Sequence, residues 1–192
     1  MELPIALIIK GLWALFLFYW IWGWRRVKGA SRSEPWLPRL FKYWLPLLVA
    51  GWLLFPSHAS EGRVMTARMY PHSQAIAVVG MLMVVAGIAF ACWARHIIGS
   101  NWSSEVQVKQ GHELIQRGPY GLVRHPIYTG LLLAFLGTAI AVGEWHGLLA
   151  VAIIAISFWF KLRLEERWMR ESFGEVYVNY MRRVKALIPG VL

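Results

Sequence analysis

Five stretches of the chain are apolar over most of their length, and a membrane span takes about 20 mainly apolar residues. The first runs from Leu3 to Trp24 and is interrupted by Lys10. The second, Phe41 to Phe55, is short and contains Pro46. The third, Gln74 to Ala94, is unbroken, and the fourth runs from Pro126 to Val142. The fifth runs from Trp145 to Leu162 and continues as a polar helix through Glu165 toward Ser172. Only a few residues around Gly143–Gly147 join the last two runs, which predicts an antiparallel helical hairpin. The pattern therefore predicts an all-α polytopic membrane protein of about five transmembrane helices. Residues 1–192 read as one membrane domain, with three N-terminal spans in 1–100 and the hairpin and a C-terminal helix in 101–192.

The first run does not read as a signal peptide. Its basic cluster (Arg25, Arg26, Lys28) follows the apolar stretch, and no small-residue cleavage site is present. Composition agrees with a membrane protein: 58% of the 192 residues are hydrophobic and 12 are Trp, with mean hydropathy +0.48. A net charge of +10 alone would suit nucleic acid. The basic residues lie between apolar runs and form no patch, so no nucleic-acid partner is expected. Alternating the five runs across a bilayer puts 17 basic residues on one side and 2 on the other. By the positive-inside bias the N-terminus is then outside and the C-terminus cytoplasmic. The expected location is the inner or plasma membrane of a prokaryote. Lys10 lies within the first run and reads as a snorkelling residue.

Cys92 is the single cysteine and there is no Asp. An internal disulfide and Cys-based metal sites are excluded, and no metal is expected. His58, His72, His96 and His146 have no metal-ligand spacing.

Chemistry concentrates in GHELIQRGPYGLVRHPIYTG, residues 111–130. Gly118-Pro119 is a turn signal. Pro126 suits the first position of a helix, where a missing N–H costs little. Arg124, His125 and Tyr128 then cluster at the helix mouth, where free N–H groups and the helix dipole favour an anion. The hairpin brings KLRLEERWMRESFG, residues 161–174, back beside that mouth, so Glu165 and Glu166 are candidates to meet it. Such a site offers both charges next to an apolar phase and suits a zwitterion. Plainer readings exist for each residue. Arg124 can anchor a lipid headgroup, and His125 can cap the helix. Glu165 with Lys161, and Glu166 with Arg170, have the four-residue spacing of surface ion pairs. Tyr177, Tyr180 and the tryptophans read as interfacial-belt or packing residues.

The ordered set of these stretches is more specific than any one of them. HELI (112–115), GPY (118–120), RHPIYTG (124–130), EE (165–166), FGEVYVNY (173–180) and RRVKALIP (182–189) together resemble the isoprenylcysteine carboxyl methyltransferase family. That family falls within the membrane phospholipid methyltransferase superfamily. The resemblance covers the C-terminal two-fifths of the chain. It implies S-adenosylmethionine held without a Rossmann fold, and a cytoplasmic C-terminal cofactor site within a catalytic region over 101–192. The implied cofactor shell is Gln107, His112, Glu113, Leu114, Ile115, Tyr120, His125, Pro126, Ile127, Tyr128 and Glu165. Arg124, His125 and Glu166 are the candidate catalytic groups. Family members place an Arg for the substrate carboxylate just before the Glu pair. Here Lys161 and Arg163 stand nearby as the substrate-binding candidates, and a Lys lacks the planar fork of Arg.

The partners implied are the lipid bilayer and an amphiphilic acceptor dissolved in it, most simply the carboxylate of a prenylcysteine-like molecule. A carboxylate is ionised near neutral pH and needs no general base, whereas an amine acceptor would need one, for which His125 or Glu166 could serve. Phospholipid and small-molecule N- or S-methylation are the alternatives. A membrane sterol-type reductase using NADPH also carries an R-H-P-x-Y-x-G stretch, but Glu165-Glu166 and RRVKALIP favour methyl transfer.

Overall fold

Each of the five apolar runs carries helix in the computed structural model, which describes residues 5–23, 30–33, 35–55, 67–71, 73–99, 107–109 and 114–191. The first run forms α1 (Ile5–Gly23). The third forms α4 (Gln74–Ile98), four residues longer than its apolar stretch because the helix continues through Arg95 and His96. The fourth and fifth form α5 (Pro126–Val142) and α6 (Trp145–Phe173), and α7 (Glu175–Arg183) follows after Gly174. Helices α1, α4 and α6 are long and apolar enough to cross a membrane, and α5 is a shorter apolar helix of 17 residues. The protein is an integral membrane protein.

The second run is longer than its composition predicts. Helix α2 (Trp36–Arg39), a π-helical turn (Leu40–Trp44) and α3 (Leu45–Leu54) follow one another without a gap. Pro46 has no N–H to give to the Lys42 carbonyl four residues back, which would break an isolated helix. Instead the Ser157 hydroxyl of α6 donates to that carbonyl at 2.6 Å. A neighbouring helix thus satisfies the group that proline frees, as apolar surroundings require.

One feature lies outside the all-helical expectation. Strands β1 (Ala30–Ser33) and β2 (Gln107–Lys109) pair as a short antiparallel ribbon.

Helices α4 and α5 form the rigid centre. A Cβ on Gly80 would lie 2.5 Å from the Gly137 carbonyl, and a Cβ on Gly130 would lie 2.5 Å from the Gly87 carbonyl. Only glycine allows backbones so close, and close packing is what holds helices together in lipid. At the hairpin, Gly143 takes a left-handed φ of 72° and ends α5. Its carbonyl accepts from the Met69 N–H at 2.8 Å, and Tyr70 donates its hydroxyl to the Ile140 carbonyl.

The hairpin sets the site. Helix α6 returns antiparallel to α5 and continues 11 residues beyond Leu162, about 16 Å at 1.5 Å per residue. Gly174, with φ 51°, then breaks the helix and turns α7 back toward the start of α5.

Candidate active site

The mouth of α5 is built from three separate segments. Residues Gly118–Gly121 form a 3-10 turn, with Gly118 at φ 60°. After Leu122 the chain meets the C-terminal tail, where Val123 and Lys185 form a parallel bridge. The Arg124 and His125 N–H groups donate to the Lys185 and Ala186 carbonyls at 2.8 and 3.0 Å. The Thr129 hydroxyl lies 2.8 Å from the Leu187 carbonyl. Pro126 then opens α5, as its position in the sequence predicts.

Arg124 uses its guanidinium to join three elements. Its Nε and Nη2 donate to Glu166 Oε1 of α6 at 2.9 and 2.5 Å. Its Nη1 donates to the Met181 carbonyl at 3.3 Å and to the Val184 carbonyl, at the end of α7. The Arg124 and Glu166 side chains are each only 8% exposed. Glu166 is therefore not the surface partner of Arg170 that the spacing allowed. Arg170 instead reaches the Glu166 backbone carbonyl, at 3.4 Å.

His125 lies between the two carboxylates. Nδ1 is 3.4 Å from Glu165 Oε2 and Nε2 is 3.3 Å from Glu166 Oε1. Burial works against its proton, but hydrogen bonds and charge from Glu165 and Glu166 outweigh burial and hold the imidazole above its ordinary range. It makes no side-chain cap on α5. The ring stacks on Tyr128 with centroids 5.5 Å apart and planes at 11°. Tyr128 donates its hydroxyl to Glu165 Oε1 and stacks in turn on Phe158. Lys161 places Nζ 5.6 Å from the Tyr43 ring centroid and 5.5 Å from that of Tyr128, within cation–π range.

These groups form the polar end of a cavity of about 820 Å³. Leu114, Ile115, Tyr120, Arg124, His125, Pro126, Ile127, Tyr128, Lys161 and Glu165 all line it. From there it continues between α1 and α3 along Trp20, Leu17, Trp13, Leu47, Leu48 and Trp52. Leu17, Leu48 and Trp52 are themselves 54%, 67% and 64% exposed. The cavity therefore opens through the wall of the helix bundle onto its apolar outer surface. It is polar at one end and apolar along its length, as a site for an amphiphile must be.

The structure does not bring every sequence-predicted residue here. Arg163 is exposed on the outside of α6 with its guanidinium over the Trp159 ring, away from the cavity. Gln107 lies in the β-ribbon, where its backbone is opposite Ser33. His112 and Glu113 lie outside the described residues. Glu166 stands behind Arg124 and His125 and does not line the cavity.

Sequence reasoning missed the part played by α7. Tyr177 and Tyr180 are buried and line the cavity, so packing and not the interfacial belt is their setting. The Tyr180 hydroxyl donates to the Tyr120 carbonyl at 2.5 Å. Burial pushes that phenol up to about 12, so it remains a donor. Their spacing of three residues on a short amphipathic helix was the signal that both share one face.

A membrane-embedded helical bundle with a buried charged cluster at the mouth of an amphiphile-sized cavity is the class of protein defined here. Residues 75–176 match the phospholipid methyltransferase family model, and the chain belongs to that family. It is also similar to protein-S-isoprenylcysteine O-methyltransferase B of Arabidopsis thaliana, 27% identical over 115 residues that cover 58% of each chain. The Schizosaccharomyces pombe protein-S-isoprenylcysteine O-methyltransferase is 28% identical over 159 residues, 77% of this chain and 66% of that one. The Mus musculus protein of that name is 32% identical over 116 residues, 57% of this chain and 40% of that one. The chain spans about three-fifths of the length of the first of these relatives. The resemblance read from the motifs is borne out.

Proposed function

We propose that the protein is an integral membrane methyltransferase that uses S-adenosylmethionine to esterify the carboxylate of a prenylcysteine-like amphiphile. One observation carries this reading: a single cavity joins a buried, charged cluster to an apolar channel open on the membrane-facing surface. The methyltransferase family and the isoprenylcysteine relatives support it.

The donor set fits the cofactor. Glu165 offers a carboxylate to a cationic group, and Tyr120 offers an aromatic face that suits a sulfonium or an adenine, while Tyr128 orients Glu165 through its hydroxyl. The shell is Leu114, Ile115, Tyr120, His125, Pro126, Ile127, Tyr128 and Glu165, with His112 and Glu113 from the preceding segment. When bound, S-adenosylmethionine supplies an electrophilic methyl group on sulfur. The chain's own residues orient the reactants and exclude water. Lys161, at the junction of the polar and apolar parts, holds the acceptor carboxylate, a role Arg163 is not placed to share. His125 has both ring nitrogens engaged by Glu165 and Glu166, and Glu166 is bound by Arg124 and does not line the cavity. Neither is therefore placed to act as a base, which favours an acceptor that is already ionised over an amine. Arg124 and Glu166 serve the reaction by holding His125 and the tail in place. Positioning and desolvation supply the rate.

We further propose five spans: α1, the run from α2 to α3, α4, α5 and the apolar part of α6. They form one domain with the N-terminus outside and the site and C-terminus cytoplasmic, in the plasma membrane of a prokaryotic cell. The basic bias of the loops supports that orientation, and reporter fusions at the two ends test it.

A radiolabelled methyl-transfer screen tests the function, using N-acetyl-S-farnesylcysteine, phosphatidylethanolamine and a small thiol as acceptors. Base-labile label on the cysteine derivative is expected. Label on the amine or thiol overturns the acceptor assignment. Binding of NADPH without S-adenosylmethionine in calorimetry overturns the methyltransferase reading.

A further inference from the structure

We propose that Trp13 and Phe135 form a floor in the cavity that gauges the length of the acceptor's tail. The inference rests on the acceptor class proposed above and adds a specificity-determining residue from α1, which lies outside the region matched by the family model.

The deepest lining residues of α1 and α5 meet at one level. Phe135 is the last lining residue on α5, nine residues beyond Pro126, or about 13 Å along the helix. Trp13 is the lining residue of α1 furthest from Gly23, ten residues and about 15 Å away.

The floor is fixed in place. The Trp13 indole stands edge-on to Phe135, with centroids 5.1 Å apart and planes at 71°. Its Nε1 donates to Thr138 Oγ1 at 3.1 Å. The Thr138 hydroxyl is fully buried and gives its own proton to the Ala134 carbonyl at 2.8 Å, so it can only accept from Trp13. Phe16 packs against the other side of the indole, 5.8 Å away at 88°. A hydrogen bond and two edge-to-face contacts thus hold one large ring across the channel. A tail that continues along the channel, and does not turn out through the α1–α3 opening, must stop at the ring or displace it, because packed aromatic groups yield poorly to added volume.

The test is methyl transfer to the geranyl, farnesyl and geranylgeranyl forms of N-acetyl-cysteine, with kcat and KM measured separately. Trp13→Ala is expected to raise the geranylgeranyl-to-farnesyl ratio of kcat/KM about tenfold, mainly through KM, since small apolar volume changes in a pocket have effects of that order. Trp13→Phe keeps most of the ring and is expected to retain the wild-type ratio. A folded, active Trp13→Ala protein with the wild-type ratio overturns the proposal. If Trp13→Ala fails to fold, Phe135→Leu trims the opposing ring and leaves the Thr138 hydrogen bond intact. It must shift the ratio the same way, and an unchanged ratio overturns the gauge. Wild-type protein that methylates none of the three refutes the acceptor class itself, a result distinct from methylation without length preference.

Discussion

Replacing Arg124 with lysine keeps the charge and removes the fork. In the native protein the guanidinium makes two hydrogen bonds to Glu166 and reaches two carbonyls at the end of α7. An ammonium on a shorter reach can satisfy the Glu166 carboxylate but cannot also span to Met181 and Val184. Two or three contacts are lost, each contributing about 0.5–1.5 kcal/mol net, so Arg124→Lys should destabilise the protein by about 2 kcal/mol. Arg124→Ala leaves the buried Glu166 with His125 as its remaining partner and should cost more, about 3 kcal/mol. Unfolding titrations in mild detergent measure both. Hydrogen exchange adds a local readout: the Arg124 and His125 amides, which donate into the tail, should lose protection in Arg124→Lys before the α4–α5 centre does. A cycle of Arg124→Ala with Glu166→Gln should show coupling above about 1 kcal/mol, as expected of residues in direct contact. Arg124→Lys with native stability and native amide protection would refute the reasoning.

Glu165→Gln should weaken S-adenosylmethionine binding more than tenfold in calorimetry while the protein remains folded, because a charge-assisted contact contributes about 1.5–3 kcal/mol. His125 is held above its ordinary range, so its contribution to stability is complete below the unfolded imidazole value of about 6.5 and is lost as pH rises through the folded one. Thermal unfolding should therefore lose stability as pH rises above about 6.5. His125→Gln should flatten that part of the profile, and an unchanged slope would count against the raised imidazole. Gly87→Val should lower the yield of folded protein, since its Cβ would collide with the Gly130 carbonyl and Ala134. A cost of about 1–3 kcal/mol or more is expected there, and wild-type thermal stability would contradict it.

The elements and the site were legible to different degrees. Apolar run length located α1, α4, α5 and α6 because the bilayer imposes one length scale on every span. The run containing Pro46 read short because Pro38 and Arg39 end its apolar stretch, although the helix continues back to Trp36. The compensating hydroxyl of Ser157 lies 115 residues away and has no local signature. The approach of Tyr128 to Glu165 followed from the short hairpin alone. The split of labour between the two glutamates did not. Which carboxylate meets Arg124 depends on the rotation of α6, which side-chain packing sets. The tail was legible only as a motif. Its backbone carbonyls do the work, and carbonyls have no sequence.

The opening between α1 and α3 also changes how concentration is counted. A ligand that reaches the charged cluster through the bundle wall arrives from the hydrocarbon phase, so its chemical potential is set by its mole fraction among lipids. Diluting such a ligand with inert lipid or detergent lowers occupancy even when its molarity in the tube is constant. Apparent affinity constants for this protein are therefore comparable only at equal surface dilution. A ligand entering from water at the other end obeys ordinary bulk molarity, and one cavity thus couples two separate concentration scales.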